Sequence, residues 1–361
     1  MLWKEKDNMN KIEEILMSGR EKGASDLHIC SDCPLMFRID GELVTVSENL
    51  VSAQETEELV KSIMTNEQRL QMERSGEVAF SLSVEKLGRV RISVFRQMES
   101  YAISCRLLAE EVPTPQQLGI PEAAIEWVNK RKGFILVTGD MGSGKSTTIA
   151  SLLHTIIENT KKTVMTLEKP VEYLYEQKNS MVMQREIGHD ALSYAQALRA
   201  ALKQDTDVIF VGELCDADTV LAAITAAEAG CLVFSTLCSG NGCISSVEQL
   251  LDLFSADSQH RIRARFAGVL EGVIAQQLLP KEGGGRAAAF EVLLPVPQIR
   301  SLICEKKSVQ ISSVMRENSE VGMRTMDAAI YDLFMKSYIS AKTAVDFAYH
   351  REEMIQKINL F

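Results

Sequence analysis

The sequence predicts an α/β protein in two parts, a small α+β domain followed by a larger domain with a parallel sheet and a helical C-terminal extension. Short strands with alternating polarity fill much of the first 110 residues. Three prolines then fall close together, at Pro113, Pro115 and Pro121. Beyond them, apolar strands alternate with amphipathic helices, which is typical of a parallel sheet. The predicted boundaries are 1–111 for the first domain, 112–121 for a linker and 122–361 for the second domain, with the helical region from about 290.

In the first domain, a helix is predicted over residues 8–20 and a helical segment over residues 52–74. Short strands lie between them in "SDLHI" and "LMFRIDGELVTV", the second of which contains a "DG" hairpin signal. Three more follow in "EVAFSLSVEKLGRVRISVFRQMESYAISCRLL". Apolar and polar residues alternate in these strands, so one face of each should be buried. The pattern predicts a small α+β domain with an antiparallel sheet.

Composition and charge restrict the class of protein. The chain has 361 residues, 24% of them charged, and a net charge of −10. A general nucleic-acid binder needs a basic face, so no nucleic-acid partner is expected. No apolar run approaches the ~20 residues of a membrane span, and the first residues do not resemble a signal peptide. We expect a cytoplasmic protein whose membrane contact, if any, is peripheral.

Eight scattered cysteines fit reduced thiols better than a disulfide framework. Cys30 and Cys33 form a lone C-x-x-C pair, for which incidental thiols are the simplest interpretation.

A phosphate-binding motif follows the first strand of the second domain. The segment "GDMGSGKST" fits G-x-x-x-x-G-K-[ST] and lies between an apolar strand and an amphipathic helix. Its glycines let backbone N–H groups turn toward phosphates, and the helix N-terminus adds positive charge. We expect Lys145 to reach the β- and γ-phosphates and Ser146 to ligate Mg²⁺. The predicted nucleotide-binding residues are Gly139, Gly142, Ser143, Gly144, Lys145, Ser146 and Thr147.

Two later strands end in acids. "DTDVIFVGE" ends at Glu213, and "TVMTLE" ends at Glu168. Nucleotide hydrolysis needs a group that orients water and a group that holds the metal, so both acids are catalytic candidates and Glu213 is also a candidate Mg²⁺ ligand. The alternative, a solvated acid at a strand end, stays open and is stronger for Glu168.

Four segments occur in an order that resembles the Walker A, Asp, Walker B and His boxes of the type II/IV secretion ATPase superfamily, which includes the GspE/PulE-like proteins. They are "GDMGSGKSTTIASLLH", "TLEKPVEYLYEQK", "ALRAALKQDTDVIFVGELCDADT" and "AAITAAEAGCLVFSTL". The later segment "QIRSLICE", residues 298–305, resembles the AIRxLIRE motif of PilT-type pilus retraction ATPases. By spacing alone it could be an amphipathic core helix, with Ile299, Leu302 and Ile303 on one face.

The resemblance implies a PAS-like first domain and a RecA-like ATPase domain that uses ATP and Mg²⁺. It also implies a homohexameric ring that drives type IV pilus retraction. The implied partners are a PilC-like platform protein of the inner membrane and a paralogous pilus ATPase, with the ring at the inner face of that membrane. Arg89, Arg91 and Arg106 match family arginines that reach the nucleotide; taken alone, each would be read as a solvated strand residue.

Several matched positions depart from the family pattern. Lys169 follows Glu168 where an acid is usual, and Cys215 replaces an arginine. Cys231 and Cys238 replace two histidines of the His box. A thiol cannot carry the positive charge of an imidazolium. These changes support an alternative, a nucleotide-binding but weakly hydrolytic accessory or regulatory paralogue of the motor. Restoring both histidines is predicted to raise turnover.

The two cysteines lie seven residues apart on one predicted strand. At about 3.3 Å per residue they are separated by ~23 Å. They can therefore neither form a disulfide with each other nor share a metal ion.

Overall fold

The computed structural model describes residues 2–39, 41–85, 87–107 and 112–359. It divides into two compact units. The first comprises Met1–Glu111 together with Pro170–Leu174, and the second comprises Val112–Lys169 together with Tyr175–Phe361. The mixed α/β fold class predicted from the sequence is confirmed.

The first unit is a six-stranded sheet with three helices. Its strand order is β3-β2-β1-β6-β5-β4, and every neighbouring pair is antiparallel, as the sequence predicts. The elements are α1 (Leu2–Glu21), β1 (Ala24–Cys30), β2 (Cys33–Ile39), β3 (Glu42–Val51), α2 (Ala53–Ile63), α3 (Asn66–Ser75), β4 (Glu77–Val84), β5 (Gly88–Gln97) and β6 (Ser100–Leu107).

The helical segment predicted over residues 52–74 is two helices. Ser52 caps α2 in a capping box with Glu55, and Thr65 caps α3 in the same way with Gln68. A Thr-x-x-Gln capping box satisfies two orphan N–H groups at a new helix start, so the chain begins a second helix at this point. The apolar faces of α1 and α2 join the inner face of the sheet in one core.

The second unit is built on a seven-stranded sheet. Its order is β13-β12-β7-β11-β10-β8-β9, with only β13 antiparallel to its neighbour. The strands are β7 (Gly133–Gly139), β8 (Thr163–Glu168), β9 (Met181–Glu186), β10 (Val208–Val211), β11 (Leu232–Cys238), β12 (Leu270–Pro280) and β13 (Arg286–Leu293). The sequence did not predict β9 and β12, although β12 pairs directly with β7 at the centre of the sheet.

Helices cover both faces of this sheet, because β7, β10 and β11 are apolar and buried on both sides. The helices are α4 (Pro115–Leu118), α5 (Glu122–Ile125), α6 (Lys145–Asn159), α7 (Tyr194–Ala201), α8 (Ala217–Glu228), α9 (Gly242–Leu251), α10 (Ala256–Val269), α11 (Pro297–Cys304), α12 (Ile311–Glu317), α13 (Met326–Met335), α14 (Ala341–Phe347) and α15 (Arg351–Asn359).

The proline-rich stretch is ordered within the second unit. Thr114 caps α4, whose first residue is Pro115, a favoured position for proline. The buried hydroxyl of Ser151 in α6 donates to the Pro113 carbonyl at 2.6 Å. The stretch is therefore anchored to the helix that follows the phosphate-binding motif.

Over the described ranges, none of the helices has the length and apolar content that a membrane crossing requires.

Candidate nucleotide site

The phosphate-binding motif forms a loop between β7 and α6. Gly142 and Gly144 both adopt positive φ, at 78° and 90°, a conformation that glycine reaches without strain. Gly144 is the N-cap of α6 and provides no side-chain hydrogen bond to the first turn. The N-cap residue thus leaves room for a ligand at the start of this 15-residue helix, and the backbone N–H groups of the first turn together with the helix dipole suit a phosphate.

Lys145 lies over the loop it follows. Its ammonium group donates to the carbonyl oxygens of Gly139 at 2.8 Å and Asp140 at 2.7 Å. Both acceptors are neutral carbonyl oxygens, whereas a phosphate oxygen carries negative charge and attracts the ammonium group through Coulomb attraction as well. A phosphate entering the loop can therefore draw the ammonium group away from these carbonyls.

The two candidate acids lie at the same edge of the sheet as the loop. Cys238 at the end of β11 pairs with Gly139, and Val211 of β10 pairs with Ser235 on one side and Leu167 on the other. The carboxyl ends of four parallel strands therefore meet here. Three strand spacings, about 14 Å, separate β7 from β8.

The acids differ in exposure. Glu168 ends β8 and is 5% exposed, whereas Glu213 is exposed on the turn after β10. Thr236 of β11 fixes that turn, because its hydroxyl donates to the Gly212 carbonyl and its own carbonyl accepts the Leu214 N–H at 3.0 Å. Glu213 is thereby held beside β11, the strand between it and the loop.

The site suits a magnesium ion by the chemistry of its donors. Ser146 is half-buried in the first turn of α6, and Glu213 offers a carboxylate at the same sheet edge. Hydroxyl, carboxylate and phosphate oxygens are the ligands that this hard cation prefers. The hydroxyl of Ser143, buried in the loop without a hydrogen-bond partner among the described residues, adds one more polar atom.

Comparison with known proteins identifies the family. The model of the family described as "Type II/IV secretion system protein" matches residues 4–336 of the chain. The chain belongs to this family. The membership predicted from the sequence is confirmed, and with it the assignment as an ATPase.

Individual relatives are similar over nearly the whole chain. The Type IV pilus retractation ATPase PilT of Pseudomonas aeruginosa is 36% identical over 92% of this chain and 96% of its own length. The Type IV pilus ATPase PilU of the same organism is 31% identical over 93% of this chain and 88% of its own. A crystal structure of the pilus retraction motor PilT with bound ADP superposes with a TM-score of 0.88 at 40% identity, covering 96% of this chain and 99% of that one.

Cys231 and Cys238, where the resemblance leads us to expect two histidines, lie just before β11 and at its last residue. Cys238 is exposed at the edge that carries the phosphate loop. Cys231 is buried at the far end, where its thiol donates to the Thr206 carbonyl at 3.2 Å and burial raises its pKa. Of these two cysteines, only Cys238 therefore lies beside the phosphate loop.

The other cysteines also behave as thiols. All eight are free, and no group of three His, Cys, Asp or Glu side chains in the described ranges is arranged to hold a metal ion. Cys215, where the resemblance leads us to expect an arginine, is exposed, and its thiol donates to Asp216 at 3.5 Å. Asp216 in turn caps α8 by accepting from the Thr219 N–H at 2.7 Å.

The three candidate arginines lie together on one face of the first unit's sheet. Arg89 and Arg91 are two residues apart on β5, and Arg91 pairs directly with Arg106 on β6. Arg106 forms an ion pair with the buried Asp26 at 2.7 Å. Arg89 donates to the carbonyl of Val171 at 3.3 Å. Val171 lies in Pro170–Leu174, the later segment that belongs to the first unit. Their role at a nucleotide stays a prediction.

The segment that resembles the AIRxLIRE motif forms α11. Ile299, Leu302 and Ile303 are all buried, as the helical spacing predicts. Arg300 donates to the Ala267 carbonyl and lies 3.6 Å from the carboxylate of Glu271. The motif is thus joined to α10 and to the start of β12, and its apolar face contributes to the core.

Sequence reasoning missed a cavity next to the loop. It has a volume of about 310 Å³ and is lined by residues 140–143 of the loop, residues 276–278 of β12, and Arg286, Asp346 and Phe347. Glu291 and Tyr349, nearby in the fold, were also missed. A strand assignment for β12 would have placed residues 276–278 beside β7, but its apolar run continues from a helix without a break.

Proposed function

We propose that this protein is the motor of type IV pilus retraction, a homohexameric ring that hydrolyses ATP with Mg²⁺. The proposal is supported by the similarity to PilT over nearly the whole chain and by the loop geometry. The ring lies in the cytoplasm at the inner face of the plasma membrane and acts on a PilC-like platform protein at the base of the pilus. Nucleic acid is not a partner.

Each site residue has a defined task in this proposal. The loop from Gly139 to Thr147 binds the phosphates through backbone N–H groups, and Lys145 neutralises the β- and γ-phosphates. Ser146 and Glu213 would hold the magnesium ion, which would supply charge neutralisation at the transferred phosphoryl group. Glu213 and Glu168 orient the attacking water.

In this proposal the arginines of the first unit help to stabilise the transition state. Charge develops on the transferred phosphoryl group, and Arg89, Arg91 and Arg106 would stabilise it by approaching from the small domain. Release of the phosphate product removes negative charge from the site and weakens the attraction of the arginines to it, which gives the ring a step that can be converted into movement.

The observation that carries the proposal is the N-terminus of α6, whose N-cap residue Gly144 makes no side-chain hydrogen bond. It lies at the same edge of the sheet as Glu168 and Glu213. The proposal is tested by phosphate release from the purified full-length protein, with Lys145→Ala and Glu213→Gln as variants. Both are expected to lose at least about 100-fold in turnover. Equal release by wild type and Lys145→Ala would exclude the site.

Retraction itself needs a cellular assay. The wild-type gene is expressed in a piliated strain that lacks its own retraction ATPase, and the twitching zone is measured. Restored twitching by wild type, but not by Lys145→Ala, is the expected result. Normal ATP turnover by the purified protein without any recovery of twitching would show that the protein is an ATPase but not the retraction motor.

A second candidate function rests on the altered boxes. Lys169 puts a positive charge beside Glu168, and Cys238 stands at the sheet edge where the family has a histidine. In this case the protein is a nucleotide-binding, weakly hydrolytic accessory subunit that joins or regulates a ring of a paralogous pilus ATPase. Lys145-dependent binding with background turnover, together with co-purification with the paralogue, would favour it. Normal turnover by the protein alone would rule it out.

A further inference from the structure

One buried side chain contacts the phosphate loop along most of its length. Gln276 lies in β12, where the preceding residue, Ala275, pairs with Thr138 of β7. Its side chain is 2% exposed, and its Nε2 donates to the carbonyl of Ser143 at 2.5 Å. The glutamine is thus held against the middle of the loop by a direct hydrogen bond.

Gln276 also contacts both ends of the loop. A Cβ atom on Gly139 would clash with the Gln276 carbonyl oxygen, and a Cβ on Gly144 would lie 3.1 Å from Gln276 Nε2. The absence of side chains at both glycines lets β12 approach this closely. The start, the middle and the last residue of the loop therefore all lie against one glutamine.

The hydrogen bond to Ser143 sets the orientation of a peptide plane. In a trans peptide the C=O of Ser143 and the N–H of Gly144 point in opposite directions. With the carbonyl fixed on Gln276, the Gly144 N–H faces away from β12. A peptide next to a glycine at positive φ rotates with little steric resistance, so this plane needs an outside partner to hold it.

Two polar atoms at this contact have no partner. Gln276 Oε1 and Ser143 Oγ are buried and make no hydrogen bond within the described residues. One accepts hydrogen bonds and the other can donate one. A buried polar pair of this kind is stabilised as soon as a small movement of the loop brings the two atoms together.

We propose that Gln276 is a positioning residue of the ATPase, which turns the Gly144 N–H toward the phosphates and accepts a hydrogen bond from Ser143 Oγ when the loop closes on nucleotide. The inference rests on the proposed nucleotide site in this loop. Gln276 does not touch the reacting atoms, and it acts through the shape of the loop.

The test replaces the amide without emptying its space. Methionine in Gln276→Met has a side chain of similar length but no amide group. It should therefore stabilise the closed conformation of the loop less than glutamine does. Nucleotide affinity is measured by titration with a fluorescent ATP analogue, and kcat and KM by phosphate release. Removing a hydrogen-bond partner from a buried group corresponds to a loss of about tenfold or more in affinity.

A second variant gives a pH signature. In Gln276→Glu the carboxylate cannot donate to the Ser143 carbonyl, but the protonated acid can. We expect weak nucleotide binding at pH 8 and partial recovery at pH 5.5, relative to wild type at each pH. Gln204→Glu, on the exposed turn before β10, is the matched control and should follow wild type at both values.

The outcomes separate positioning from stability. Lower affinity, with a smaller nucleotide-induced rise in melting temperature, supports the proposal. A lower melting temperature of the nucleotide-free protein with an unchanged nucleotide-induced rise would show a purely structural role and overturn it. Loss of binding in Lys145→Ala but not in the Gln276 variants would reject this inference alone, whereas retained binding in Lys145→Ala would reject the site itself.

Discussion

The carboxylate of Glu291 in β13 accepts the backbone N–H of Cys243 at 2.8 Å, in the first turn of α9. The N-cap of α9, Asn241, provides no side-chain hydrogen bond, so a residue 48 positions later takes over that task. Tyr349 continues the contact, since its hydroxyl donates to the Gly240 carbonyl at 3.2 Å. The C-terminal region is thereby joined to the loop that follows β11.

Glu291 should make the stability of this unit depend on pH. Burial raises its pKa to about 7, with the nearby Asp327 acting in the same direction, while its hydrogen bonds with Cys243 oppose the shift. The folded state therefore holds the proton more tightly than the unfolded state. The resulting stabilisation is complete below about pH 4.5 and is lost as pH rises through 7.

The variant Glu291→Gln keeps an oxygen that can accept from Cys243 and removes the titration. It should match wild type near pH 4.5 and exceed it at pH 8 by about 3 kcal/mol in free energy of unfolding, at 1.36 kcal/mol per pKa unit. Denaturant unfolding of both proteins at the two pH values measures the difference. Parallel pH profiles for the two proteins would show that Glu291 does not titrate in this range.

The His-box positions should respond differently to restoration. Cys238→His places an imidazole at the loop edge of the sheet and should raise turnover by about tenfold or more, because it adds a donor that can carry charge. Cys231→His should leave turnover unchanged and lower the melting temperature, since it puts a larger polar ring into a buried position. The measurement is ATP turnover of each single variant. A gain in turnover from Cys231→His but not from Cys238→His would contradict the prediction that only position 238 acts at the phosphate loop.

The arginine prediction can be tested on one strand. Arg91→Ala should reduce turnover at least about 100-fold if this guanidinium stabilises the transition state. Arg96→Ala, an exposed arginine further along β5, is the control and should retain activity. Phosphate release at saturating ATP is the measurement. Similar rates for the two variants would leave Arg91 without a catalytic role.

The parts of the site that sequence predicted are local in the chain. The glycine loop, Lys145 and Ser146 form one contiguous motif between a strand and a helix, and Glu213 and Glu168 are marked by the apolar strands they end. Backbone conformation and the helix dipole determine what such segments do, so composition and spacing are enough. The buried face of α11 was predictable for the same reason.

Other features depend on which strands become neighbours. The sequence predicted one result for Cys231 and Cys238 together, but the pairing of β11 with β7 places only Cys238 at the loop. Gln276 reaches Ser143 across 133 residues of chain, and Glu291 reaches Cys243 across 48. Residues 270–280 gave no strand signal distinct from the preceding helix.

The sequence by itself determined the family, the fold class and the phosphate loop, because each is written in short-range periodicity or in a contiguous motif. Only the tertiary structure decided which side chains support that loop. Sheet order and register bring β12 beside β7, and that approach buries the amide of Gln276 against the Ser143 carbonyl. Such contacts join residues that are far apart in the chain, so no local sequence pattern shows which side chain will be buried against the loop.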